Sequence, residues 1–125
     1  MSHIPSISDA ESLVMQQLWD RHPQTAEDLA IELIPAQGWQ MPTLKTLLAR
    51  LLQKGALRAE KDGRRYLYSP TFGREAWLGS QSLSLIDRWF GGGLAPLVAQ
   101  FASERKLKDE DIKALKQLLK AQGHE

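Results

Sequence analysis

Cysteine is absent from the 125 residues. That excludes disulfides, thiolate metal sites and a cysteine nucleophile together, and it suits a cytoplasmic protein. Histidine is scarce. His3, His22 and His124 are widely separated and show no HExxH or related ligand spacing, so neither a metal nor another cofactor is expected. Long apolar runs are missing as well. No stretch reaches the roughly 18 residues of a membrane span, and the opening MSHIPSISDAES has neither the basic nor the apolar region of a secretory signal. Aromatic residues amount to 7%, and Trp19, Trp39, Trp77 and Trp89 lack the spacing of a base-stacking platform. Core and interface roles are expected of them. Catalytic patterns are also lacking: there is no nucleophile elbow, the carboxylates gather at helix starts, and neither GGG nor GWQMPT is a phosphate-cradling loop. The chain does not read as an enzyme.

The composition that is present, 42% hydrophobic and 25% charged, is that of a soluble globular protein. The net charge of +1 conceals an uneven distribution. Residues 1–42 hold one basic side chain, Arg21, against six acidic ones. Residues 43–65 hold seven basic side chains against Glu60 and Asp62. A local field of that kind steers a polyanion even when the whole molecule is nearly neutral.

Period and punctuation give the elements. Ser8 with Glu11 three positions on has capping-box spacing for a first helix, whose stripe is Ala10, Leu13, Val14 and Leu18, widened by Met15 and Trp19. His22-Pro23 ends it. Thr25 and Asp28 open a second helix with Leu29, Ala30, Leu33 and Ile34 inward, and Pro35 is expected to stop it. A third helix spans about 42–54, with Pro42 in its first turn, Leu44, Leu47, Leu48, Leu51 and Leu52 on the buried face, and Gly55 as its stop. The period then changes to two. ALRAE and RYLYS form a hairpin turned at Asp62-Gly63. The fold class is therefore mainly α with a small two-stranded antiparallel wing. It reads as a winged helix-turn-helix over 1–70, followed by a C-terminal helical dimerisation arm over 71–125. The arm is expected to weaken at Gly79-Ser80, break at GGG 91–93, resume in LAPLVAQFASERK and end in DEDIKALKQLLKAQ.

In such a fold the third helix enters the major groove. Thr43, Thr46 and Arg50 stand at i, i+3 and i+7, one accessible face. The threonines suit a phosphate, a base edge or a thymine methyl; Lys45 and Arg50 suit phosphates or guanine. Lys54 continues the basic run, and Lys61, Arg64 and Arg65 flank the wing turn. Tyr66 and Tyr68 are expected to pack the wing onto the domain or to flank it, rather than to stack on bases. The competing reading is a winged-helix module that docks protein, which has no need of positive charge on both helix and wing. In the arm, Leu85, Ile86, Trp89, Phe90, Leu94, Leu97, Val98 and Phe101, with the final stripe Ile112, Leu115, Leu118 and Leu119, are the expected contacts between two copies.

ISDAESLVMQQLWDRHPQTAEDLA, the Trp39, Thr43, Thr46-Leu47, Arg50-Leu51 and Lys54-Gly55 series, GRRYLYSP and SLIDRWFGGGLAPLVAQF together resemble the bacterial penicillinase repressor family. That family includes the beta-lactamase and methicillin-resistance repressors and copper-responsive relatives. The resemblance implies a homodimeric repressor on a palindromic double-stranded operator, with Thr43, Thr46 and Arg50 facing DNA and Arg64 and Arg65 in the wing. Pro42 stands where many relatives have lysine. Antibiotic-responsive relatives are relieved by a regulatory protease at an asparagine–phenylalanine bond, and the corresponding pair here is Gln100-Phe101. The C-terminal cysteine cluster of the metal-sensing relatives is missing.

Overall fold

A computed structural model describes residues 4–123, so His3 and His124 lie outside the described residues. Helix α1 runs Asp9–Asp20, α2 Ala26–Gln37 and α3 Met41–Gln53; strands β1 Leu57–Asp62 and β2 Arg65–Pro70 follow, then α4 Arg74–Trp89, α5 Leu94–Glu104 and α6 Asp109–Ala121.

Both expected capping boxes form. Ser8 Oγ accepts the Glu11 amide and the Glu11 carboxylate accepts the Ser8 amide; Thr25 and Asp28 exchange the same pair of bonds. Each box fixes where its helix begins by satisfying two otherwise orphan donors. Pro35 departs from expectation. It lies inside α2, which continues to Gln37 and ends at Gly38 with φ +71°. A proline this close to the helix end removes only the bond to the Ile31 carbonyl, and Ile31 is 70% exposed, so water can replace the missing donor.

The core is built from Val14, Met15 and Leu18 of α1, Leu29 and Leu33 of α2, and Leu44, Leu47, Leu48 and Leu51 of α3, closed below by Ala56 and Leu57. Leu52 and Trp39 pack at its edge, half-buried. The third helix is thereby held by one face alone. The hairpin register pairs Asp62 with Arg65, so the two-residue turn is Gly63-Arg64, one position later than the sequence suggests. Gly63 supplies the positive φ, +65°, that begins it.

The wing is tied at two further points, Gln24 and Thr71. Gln24 and Tyr68 exchange backbone hydrogen bonds of 3.1 and 2.8 Å, so the α1–α2 connection acts as a fragment of third strand. The Gln24 side chain, 3% exposed, donates to the carbonyls of Gln17 and Arg21. At the base of the wing the Thr71 amide donates to Ala56 O at 3.0 Å and its hydroxyl to Gly55 O at 2.6 Å.

The chain divides into compact units of residues 1–81 and 82–125, and aromatic contacts tie the start of α4 to α1. Trp77, in the first half of α4, packs at a tilt against Trp19 with ring centroids 5.4 Å apart, and Trp19 Nε1 donates to Phe72 O at 2.8 Å. Helix α4 runs unbroken through Gly79 and Ser80. In the second unit α4 ends before Gly91 and Gly92, both at positive φ, and the Gly92 amide returns to Ile86 O at 3.0 Å. Among the described residues no helix is long and apolar enough to cross a membrane.

Candidate nucleic-acid interface

Thr43, Thr46 and Arg50 share the accessible face of α3 and Lys45 lies on the other flank of the leucine stripe; all four are exposed. Pro42 sits in the first turn, where its missing donor has no intrahelical acceptor to lose. Thr46 is partly engaged: its hydroxyl donates to Pro42 O at 2.9 Å. Outward it therefore offers lone pairs and a methyl group, the functions that meet a base amine or a thymine methyl.

Lys54 is placed differently. It follows the last turn of α3, and its Nζ reaches Glu11 Oε1 at 2.5 Å. Glu11 is 2% exposed. Burial raises the Glu11 carboxyl pKa, but the bonds from Lys54 and the Ser8 amide, with the Lys54 charge, outweigh it and hold the group below the usual carboxylate range. Lys54 thus neutralises an acid in its own protomer instead of standing beside Arg50 as a free cation. Lys54→Met should cost about 2 kcal/mol in chemical denaturation at pH 7, below the range for fully buried pairs because Lys54 is 35% exposed. The folded carboxyl ionises below its unfolded value. The pair's contribution is therefore present above the ordinary carboxylate range and disappears as pH falls through the folded value. The gap between Lys54→Met and wild type should shrink along that acid limb.

The wing brings the remaining cations to the helix. A notch of about 140 Å³ is lined by Ala26 and Glu27 of α2, Lys45 of α3, and Arg64, Arg65, Tyr66 and Tyr68 of the hairpin. Arg65 also pairs with Asp62 at 3.2 Å across the turn, where both side chains are exposed. Lys61 is exposed on β1. Tyr68 is half-buried against the core, and burial, then Glu27 and Tyr66, raise its phenol pKa. Tyr66 is 50% exposed, so it flanks the wing while Tyr68 packs it. Sequence reasoning missed Glu27 and Gln24 here. Glu27 reads as a first-turn acid suited to the helix dipole, and only the tertiary fold sets it among cations.

The second unit has a different surface. None of its described residues is buried. Leu85, Trp89, Leu94, Phe101, Ile112, Leu118 and Leu119 are exposed, whereas Ile86, Phe90, Leu97, Val98 and Leu115 are half-buried. Leu97, Val98 and Phe101 of α5 face Ala114, Leu115 and Leu118 of α6 across an open groove of about 430 Å³. Gln100 and Phe101 lie in the later turns of α5, both exposed. Among the described residues no group of histidines and carboxylates is placed to hold a metal ion.

A family model described as penicillinase repressor matches residues 7–121. The chain belongs to the penicillinase repressor family. It is 34% identical to the penicillinase repressor of Bacillus licheniformis over 119 residues, 95% of this chain and 93% of that one. It is 27% identical to the methicillin resistance regulatory protein MecI of Staphylococcus aureus strain N315 over 113 residues, 90% of this chain and 92% of that one. Among solved structures it is similar to the DNA-binding domain of the repressor BlaI, with 38% identity and a TM-score of 0.54 over 59% of this chain and 90% of that domain. It is also similar to the monomeric form of B. licheniformis BlaI in complex with the blaP half-operator, with 37% identity and a TM-score of 0.53 over 60% of this chain and 92% of that one. Family and fold together make this penicillinase-repressor chain a winged-helix DNA-binding repressor and not an enzyme.

Proposed function

We propose that the protein is a homodimeric repressor. Two copies of α3 and its wing read the half-sites of a palindromic duplex operator, and the second units join the copies. The observation that carries this reading is the exposure of Thr43, Lys45, Thr46 and Arg50 on α3 beside the wing cations, while Leu44, Leu47, Leu48 and Leu51 hold the buried side of the helix in the core. Such a helix presents side chains to a groove without disturbing its own anchorage. A protein-docking module has no comparable use for Lys45, Arg64 and Arg65 around one notch.

Binding of duplex DNA across a salt series tests the proposal. Affinity should fall steeply as salt rises, because each contacted phosphate releases counterions. Salt-insensitive binding, or none, would discard it. Within the same series Arg64→Ala should weaken binding to operator and random duplex alike and lower the log–log salt slope by roughly one. A loss confined to operator would instead place Arg64 on a base.

The apolar surface of the second unit supports pairing of two copies. Trp89 at 70% and Leu118 at 61% exposure are costly to leave in water, and a two-fold interface covers both sets at once. Relief of repression is proposed to follow a cut at Gln100-Phe101. The bond lies within α5, so a protease that binds extended substrate needs the helix to open locally. Cleavage there would leave α6 on a separate fragment and remove one wall of the α5–α6 groove.

A further inference from the structure

Glu27 is the one acid lining a notch that otherwise carries the proposed phosphate contacts Lys45, Arg64 and Arg65. Its carboxylate is exposed and has no ion-pair partner among the described residues; Arg65 pairs with Asp62 instead. Burial, then Glu27 and Tyr66, raise the Tyr68 phenol pKa, which places the acid within electrostatic reach of the wing. Capping does not account for it, since Asp28 and Thr25 already complete the box at the start of α2.

From this geometry we infer that Glu27 is an electrostatic counterweight in the DNA interface, limiting how tightly the notch holds the sugar–phosphate backbone. The inference rests on the proposed DNA-binding reading. A carboxylate among three guanidinium and ammonium groups lowers the local positive potential that a phosphate meets. On docking it is brought toward a like charge with little water left to screen the pair. Backbone contacts carry no sequence information, so the effect falls on all duplexes alike. For a repressor this matters because random duplex vastly outnumbers operator. Holding down backbone affinity shortens residence at wrong sites, while α3 retains its preference.

The test is Glu27→Gln, which keeps the side chain's shape and removes its charge. Two probes are used: a mixed-sequence duplex of about 30 base pairs, and a duplex of the same length selected from a random pool by the wild-type protein. Both affinities should rise by about three- to tenfold, with the ratio between them unchanged and a steeper log–log salt slope. The gain should shrink in a Lys45→Ala background, because the two charges then no longer act on one phosphate. Unchanged affinity with slightly lower thermal stability would show a purely helix-dipole role and overturn the inference. Loss of affinity for the selected duplex alone would also overturn it, since Glu27 would then be accepting from a cytosine amine. Failure of the wild-type protein to bind either duplex would strike the DNA-binding reading itself.

Discussion

Deleting residues 101–125 should leave a folded winged helix that sediments as a monomer and binds operator on the order of 10²- to 10⁴-fold more weakly than the full chain. The deletion removes Phe101 and all of α6, one whole wall of the apolar groove against α5. It leaves intact the unit ending at residue 81, whose core draws on α1, α2, α3 and β1. Two linked reading heads bind the second half-site at high effective concentration, and separated heads lose that advantage without losing any single contact. Analytical ultracentrifugation and operator titration on the same sample measure both parts. A truncated protein that remains dimeric with full operator affinity would remove the second unit from the proposed assembly.

Replacing Arg50 by alanine is expected to produce the second large effect, about 1–3 kcal/mol of operator affinity, or roughly 5- to 150-fold. Arg50 is exposed in the last turn of α3 and makes no ion pair among the described residues, so removing it should barely change stability. The loss should be larger on operator than on random duplex if the guanidinium holds a guanine edge, and equal on both if it holds a phosphate. Comparing the two duplexes therefore assigns the contact. Full operator affinity in Arg50→Ala, with the fold verified by tryptophan fluorescence, would take the residue off the reading face. Lys54 provides the contrast: it lies only one helical turn away, yet its substitution should act mainly through stability because its charge faces Glu11.

That contrast shows where local sequence information stops. The stripe of Leu44, Leu47, Leu48 and Leu51 was legible because helical period and burial agree over about two turns. Both capping boxes were legible because their partners are three residues apart. The hairpin was found but misplaced by one residue, since Asp-Gly and Gly-Arg are both acceptable turn pairs and cross-strand pairing chooses between them. Pro35 misled in the other direction: proline discourages helix, but one lost bond in the last turns did not end α2 before Gly38.

By itself the sequence determined the order of elements, the buried side of each of the first three helices and the concentration of positive charge between residues 43 and 65. Those properties depend on neighbours within a few positions, where spacing translates directly into which face a residue occupies. Tertiary structure alone decided that Lys54 meets Glu11 across a separation of 43 residues, that Gln24 pins Tyr68 of the wing, and that Glu27 stands among Lys45, Arg64 and Arg65. A charge acts through space and is indifferent to chain distance, so its effect became readable only when packing had set its neighbours.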